Sequence, residues 1–114
     1  HKHAIYYVLV IKSLEKIADH ALIFLKQSPA AREKLVKQGK IAIAAYNQAM
    51  QSLFKKNALL AEKTIEFVQE QRLQADRNEV DRNDFLAYNL LRILDYSTDI
   101  AEMAIDMYCH ENKA

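Results

Sequence analysis

Glycine and proline, the residues that most often interrupt regular structure, each occur once in this chain of 114 residues, as Gly39 and Pro29. An all-β domain needs a turn after every short strand, and such turns depend on these two residues. Their scarcity therefore favours long helices. Apolar residues make up 51% of the chain, well above the content of a disordered sequence. The length suffices for one core, so we predict a single domain over 1–114.

Apolar residues recur at helical spacing in four segments, which predict helices near 3–27, 30–55, 58–78 and 81–111. Ser28, Asn57 and Asp81 are the predicted N-caps, with Pro29 at the first position of the second helix and Asp84 at the third position of the fourth. Val80 and Phe85 would form a hydrophobic staple there. Gly39 is expected to mark a kink, or the end of a short separate helix. Short connections between four amphipathic helices predict an all-α, antiparallel up-down bundle whose first and last helices are neighbours.

Two of these helices carry apolar stripes with heptad spacing. The stripe of the first helix contains Tyr7, Ile11, Leu14, Ala18, Ala21 and Leu25. The stripe of the last helix contains Leu86, Leu90, Ile93, Ser97, Ile100, Ala104 and Met107. We expect both stripes to face the core. The segment 69–79 is almost wholly polar, and we expect it to extend past the core.

Composition excludes several classes of function. The net charge of +1 and the dispersed basic residues argue against binding of nucleic acid. The apolar run Ala4–Ile11 is far too short to span a membrane. Cys109 is the only cysteine, which fits a reducing compartment. One glycine cannot build a phosphate-binding loop, and no arrangement for nucleophilic catalysis is present, so we do not expect an enzyme.

An eight-residue pattern occurs twice, near the two ends of the chain. It reads LEKIADHA at 14–21 and LLRILDYS at 90–97, with a constant offset of 76 residues. The offset preserves a leucine, a base, an isoleucine, an aspartate and a ring in the same order. An aspartate repeated within an otherwise apolar helical surface suggests a role beyond solubility.

Each copy contains an aspartate that is paired with a second acidic residue one helical turn away. Glu15 and Asp19 form such a pair on the first helix, and Asp95 and Asp99 form one on the last. Two pairs on neighbouring helices can bridge a cation, so these four residues are the candidate metal ligands, for iron or another divalent or trivalent ion. The alternative is a solvated acidic face neutralised by Lys16 and Arg92. The Glu-x-x-His motif of di-iron enzymes is absent, which counts against oxidase or ferritin-like chemistry.

The first copy closely resembles the signature of the PhoU family of phosphate-uptake regulators, which reads roughly LERIGDHA followed by NIAE. The segment DYSTDIAE at 95–102 resembles the second half of that signature, and 53–66 resembles the hairpin between the family's first two helices. PhoU-like proteins consist of two three-helix repeats, each with the signature on its last helix. By that resemblance, 1–27 would be the last helix of one repeat and 28–114 a complete second repeat. We therefore expect the chain to be part of a longer protein.

The resemblance implies a cytoplasmic regulator that restrains phosphate import and phosphate-starvation signalling. Its implied partners are a transporter ATPase and a sensor kinase, and its implied cofactor is iron or another metal held by an acidic motif. Glu15 and Asp19 match that motif. Asp95 matches its aspartate in the second copy, where Leu91 replaces the acid and Asp99 would have to supply the second carboxylate. The alternatives are a metal-binding bundle with a redox or storage role, and a purely structural or oligomerisation bundle of a larger protein.

The first eight residues of the first helix predict association. Ala4–Ile11 is apolar around the whole circumference of a helix, and an outer helix of a bundle buries only part of its circumference. In a PhoU-like parent, the missing helices of the first repeat would cover the remainder. For the chain alone, we expect a two-fold homodimer with first helices at the interface and Tyr6, Tyr7 and Leu9 as anchors.

Overall fold

The chain is helical throughout the part that the computed structural model describes, residues 3–77 and 84–109. In chain order the helices are α1 (Ala4–Leu25), α2 (Pro29–Glu33), α3 (Val36–Phe54), α4 (Ala58–Arg77) and α5 (Phe85–Tyr108). Within those two ranges no residue belongs to a strand. The all-α prediction is confirmed. None of the described helices is both long enough and apolar enough to cross a membrane.

Side-chain oxygens cap three of the helices at their N-termini. Ser28 Oγ accepts a hydrogen bond from the backbone N–H of Ala31 at 3.2 Å, and Asn57 Oδ1 accepts one from Leu60 at 3.0 Å. Both predicted caps are confirmed. Each satisfies a backbone donor that the first turn of a helix leaves without a partner.

The start of α5 differs from the prediction. Asp84 Oδ1 accepts from the N–H groups of Leu86 and Ala87 at 2.9 and 3.2 Å, with Asp84 itself in extended conformation. Asp84 is therefore the N-cap and not the third helical residue. An aspartate placed directly before the apolar periodic run reaches the free N–H groups of that run itself. The predicted cap Asp81 and its staple residue Val80 lie outside the described residues.

The predicted helix 30–55 is divided into two helices. The break falls at Lys34 and Leu35, between α2 and α3. Gly39 does not mark it, because its N–H donates to the carbonyl of Leu35 at 2.8 Å within the first turn of α3. A glycine is tolerated inside a helix when the helical hydrogen bonds around it are complete. At the other end of α3, Lys56 adopts a left-handed conformation with φ of 52°, and the N–H of Asn57 bonds back to Ser52 at 2.9 Å, which reverses the chain into α4.

α5 is the central helix of the fold, because α1, α3 and α4 all pack against it. α3 and α4 also pack against each other. In a square up-down bundle the helices 30–55 and 81–111 would be diagonal to each other, so their direct packing departs from the predicted arrangement. Both carry small buried residues that belong to one apolar cluster and permit close approach. These residues are Ala42 and Ala49 on α3 and Ala101 and Ala104 on α5.

The predicted stripe of α5 is confirmed at every position. Leu86, Leu90, Ile93, Ser97, Ile100, Ala104 and Met107 are all buried. Because α5 has neighbours on several sides, Leu94, Ala101 and Tyr108 are buried too. None of residues 69–77 is buried, although Gln71 and Ala75 of this polar segment line a pocket together with residues of α5.

The predicted stripe of α1 is displaced by one residue. The buried residues of this helix are Val10, Ser13 and Ile17, while Ile11 and Leu25 are exposed. The first eight residues of α1 are apolar on every side, so its sequence offers more than one stripe with heptad spacing, and packing against α5 selects among them. α1 runs antiparallel to α5, since His3 contacts Tyr108 and His20 contacts Asn89. The predicted adjacency of the first and last helices is confirmed.

Candidate functional site

Asp95, in the second copy of the repeated pattern, is held by two arginine side chains. Arg72 of α4 pairs with its carboxylate at 2.9 Å, and Arg92, one turn earlier on α5, donates to it at 3.0 Å. Asp95 is half-buried. These two charge-assisted contacts compensate the cost of removing the carboxylate from water. Because Arg72 lies on α4, its contact with Asp95 joins α4 to α5.

Arg92 also contacts Tyr96, the ring residue of the second copy. Its guanidinium donates to the Tyr96 hydroxyl at 3.0 Å and lies 4.9 Å from the centre of the same ring. The hydrogen bond to Tyr96 is the main cause that raises the pKa of Arg92, and partial burial opposes it. Arg92 is therefore fixed between Asp95 and Tyr96, and it remains positively charged.

These side chains border an open pocket of about 510 Å³ between α4 and α5. We call it the α4–α5 pocket. Its lining consists of Arg72, Ala75, Asp76, Tyr88, Leu91, Arg92 and Asp95. Tyr88 is exposed at the pocket, next to two guanidinium groups. Tyrosine and arginine on a concave surface are the residue types that most often anchor protein–protein contacts.

Glu15 and Asp19, the acids of the first copy, are both exposed on α1. No ion pair to either carboxylate is formed within residues 3–77 and 84–109. Lys16 is exposed too, so the first copy lacks the arginine contacts that hold Asp95. The two copies thus share a sequence pattern, while their aspartates have different surroundings.

Asp99 borders a second pocket, of about 370 Å³, between α1 and α5. Lys12 and Lys16 line it from α1, and Glu102 and Asp106 line it from α5. Although part of Asp99 is exposed to solvent, partial burial of its carboxyl group raises its pKa above the ordinary value, and the negative charges of Glu102 and Asp95 add to this effect. Arg92 acts weakly in the opposite direction.

The four predicted metal ligands do not line one pocket. Asp95 borders the α4–α5 pocket, Asp99 borders the pocket between α1 and α5, and Glu15 and Asp19 border neither. Within the described part of the chain, no three histidine, cysteine, aspartate or glutamate side chains are grouped so that they could hold a metal ion. Metal binding at these residues stays a prediction. The alternative neutralising role predicted for Arg92 is confirmed for Asp95.

Two features of the site were missed by the sequence analysis. Arg72 lies in the polar end of α4, 23 residues before its partner Asp95, and no local spacing indicates that contact. The contact of His20 with α5 was not predicted either: its Nδ1 lies 2.6 Å from Oδ1 of the buried Asn89. Because Asn89 Nδ2 donates to the carbonyl of Phe85, its Oδ1 is the acceptor and His20 Nδ1 is the donor. The ring in position seven of both copies was the signal that pointed to His20.

Comparisons of the chain with family models, with curated proteins and with solved structures found no match.

Proposed function

We propose that the chain is a PhoU-like regulatory module of phosphate uptake and phosphate homeostasis, which acts by protein–protein contact and not by catalysis. The proposal rests on the resemblance of 14–21 and 95–102 to the PhoU signature. In this proposal the module works in the cytoplasm, and its partners are a phosphate transporter ATPase and a sensor kinase.

The single observation that carries the proposal is the contact between the two signature copies. They lie on α1 and α5, which are antiparallel, and the rings of His20 and Tyr96 stack against each other. These two residues occupy the same position in their copies, 76 residues apart. Related helices that pack antiparallel at equivalent positions are expected of two repeats related by an approximate two-fold axis, which supports the two-repeat resemblance.

The α4–α5 pocket is the proposed contact surface for the partner protein. It adjoins the second signature copy and combines the exposed Tyr88 with two guanidinium groups that are already fixed by Asp95. Fixed arginines lose little conformational entropy when a partner binds. An acidic or carbonyl-rich loop of the partner would suit the remaining N–H donors of Arg72 and Arg92.

Binding to purified candidate partners tests this proposal. The transporter ATPase and the sensor kinase from the same organism would be titrated with the full-length protein, with interferometry as the readout. We expect saturable binding to at least one of them, and we expect Tyr88→Ala to weaken it about tenfold or more. Phe54→Ala removes an exposed aromatic ring at the end of α3 and is the matched control. Absence of binding to both proteins would contradict the proposal, and equal effects of the two variants would contradict the choice of surface.

A structural or oligomerisation role within a larger protein is the second candidate. One observation favours it: α1 exposes large apolar side chains near both of its ends, including Ile5, Val8, Leu22 and Leu25. Exposed apolar patches of this kind are typical of interaction surfaces. The two roles are compatible, because these patches lie on α1 and the proposed partner pocket lies between α4 and α5.

A further inference from the structure

α1 carries a complete heptad stripe on the side that points away from the rest of the molecule. Its members are Ala4, Val8, Ile11, Glu15, Ala18, Leu22 and Leu25, with spacings that alternate between four and three residues. All seven are exposed, and the large ones, Val8, Ile11, Leu22 and Leu25, each expose between 51 and 59% of their surface. We call this set the outer stripe.

The outer stripe is separate from the stripe that packs against α5. The buried residues of the helix, Val10, Ser13 and Ile17, follow the opposite side with the same alternation. A helix with two such stripes can pack on its own domain with one and form a coiled-coil seam with the other. In an isolated molecule the outer stripe would stay in water.

Charges beside the outer stripe identify a partner that fits it. Lys12 and Asp19 are exposed, and each directly follows a stripe residue, Ile11 or Ala18, on the same side of the helix. Within the described ranges neither side chain forms an ion pair. In a pair of antiparallel helices, residues at this heptad position face each other across the seam. Lys12 of one copy would then face Asp19 of the other, and symmetry would form the pair twice.

We propose that the outer stripe is the seam of an antiparallel, two-fold dimer in which a second copy of this chain is the partner. The apolar layers join Val8 to the partner's Leu25 and Ile11 to the partner's Leu22. Glu15 meets the partner's Ala18, so its carboxylate faces a small side chain with room for water. A parallel pair would instead place Glu15 against its own copy and leave Lys12 and Asp19 without opposite charges. This inference goes beyond phosphate regulation. It concerns the chain of 114 residues by itself, because in a longer PhoU-like parent the missing helices of the first repeat would take the place of the second copy.

The residues that anchor the proposed dimer differ from those predicted from the sequence. Tyr6 packs against the core of its own domain, and Tyr7 bonds to Tyr108 through the two hydroxyl groups at 3.0 Å. Tyr6 and Tyr7 therefore already contact their own molecule, and Leu9 does not belong to the outer stripe. Val8, Ile11, Leu22 and Leu25 take their place as the anchors of the dimer.

Charge reversal tests the orientation of the two helices. Sedimentation equilibrium of the full chain would give the dimer dissociation constant for each variant. We expect Lys12→Glu and Asp19→Lys each to weaken the dimer about tenfold, because each turns two attractive pairs into repulsive ones. The double variant should return to within about threefold of the wild type. A double variant whose dimer is as weak as those of the two single variants would overturn the antiparallel register.

Disulfide trapping tests the register independently. With Cys109 replaced by serine, a chain carrying Ile11→Cys and Leu22→Cys should form covalent dimers on mild oxidation. Ile11→Cys alone should not, because an antiparallel seam keeps the two copies of residue 11 apart. Efficient trapping of the single variant would indicate a parallel pair and overturn the proposal.

Oligomeric state tests whether a second copy is the partner at all. Ile11→Glu should give a monomer that stays folded, since Ile11 is exposed in the single molecule. Ile43→Glu places the same charge on an exposed isoleucine of α3 and should leave the dimer intact. A wild type that is monomeric up to about millimolar concentration would overturn the proposal.

Discussion

His20 and Tyr96 stack with their ring centres 5.9 Å apart and their planes at 25°. One ring lies on α1 and the other on α5, and the two residues hold equivalent positions in the repeated pattern. Tyr96 also carries the guanidinium of Arg92 above its ring. The contact therefore connects the first copy of the pattern with the arginine and aspartate of the second.

Loss of the His20 side chain should destabilise the fold. Asn89 is only 1% exposed, and His20→Ala removes the donor to its Oδ1 as well as the stacking on Tyr96. We expect the free energy of unfolding to fall by about 1–3 kcal/mol, because a buried acceptor is left without a partner. Urea denaturation measures this change. Glu62→Ala alters an exposed residue of α4 and should change stability by less than about 0.5 kcal/mol.

Removal of Asp95 should weaken the packing of α4 on α5. Asp95→Ala leaves Arg72 and Arg92 close together without their shared carboxylate. We expect a loss of about 1 kcal/mol in the free energy of unfolding, which increases when salt is lowered, because salt screens the repulsion between the arginines. Asp106→Ala, an exposed acid on the same helix, should have a smaller effect. If Asp95→Ala and Asp106→Ala lowered the free energy of unfolding equally at every salt concentration, the bridging role of Asp95 would be contradicted.

Metal binding at the acidic residues should be weak. Asp95 already accepts hydrogen bonds from two guanidinium groups, so a cation would have to displace them. Calorimetric titration with iron, manganese, zinc and magnesium is the measurement. The heat of diluting each ion into buffer without protein is subtracted. If an ion does bind, Asp19→Ala should remove its heat. Absence of any such heat would leave the acids as a solvated and ion-paired face, and sub-micromolar affinity would contradict the expectation of weak binding.

Stability should depend on pH through Asp99. Partial burial raises the pKa of this carboxyl above 3.8, so the folded chain holds the proton more tightly than the unfolded chain does. The free energy of unfolding therefore falls as pH rises from 3.8 through the folded-state pKa of Asp99. Above that range the full cost of holding the charged carboxylate in its partly buried position is present. Asp99→Asn should be more stable than the wild type at neutral pH, and the difference should vanish below pH 3.8. Thermal denaturation across this range measures it, with Glu66→Gln as the control for the loss of one charge.

The sequence predicted α5 better than α1 for a physical reason. On α5, polar residues confine most of the apolar ones to the predicted stripe and to an adjacent stripe that contains Ala87, Leu94, Ala101 and Tyr108, so periodicity identifies the buried side. On α1, the first eight residues are apolar on every side, and the contact with α5 decides which stripe is buried. The division between α2 and α3 was located at Gly39 although it lies at Lys34 and Leu35. A glycine with complete helical hydrogen bonds gives no break, and its presence was therefore a misleading signal.

The candidate site was predictable only where its contacts are local. The pairing of Arg92 with Asp95 follows from their spacing of three residues within one helix. The pairing of Arg72 with Asp95 depends on how α4 lies against α5, which no spacing within the sequence encodes. The same holds for His20 and Asn89, which lie on different helices and are 69 residues apart in the sequence.

Phosphate uptake by living cells tests the central claim most directly. The gene would be deleted in its own organism, and the initial rate of labelled phosphate import would be measured in phosphate-rich medium. We predict a raised rate in the deletion strain, restored by the wild-type gene and by the Phe54→Ala control and not by Tyr88→Ala. An import rate that is unchanged by the deletion, under both rich and limiting phosphate, would contradict a role in phosphate regulation.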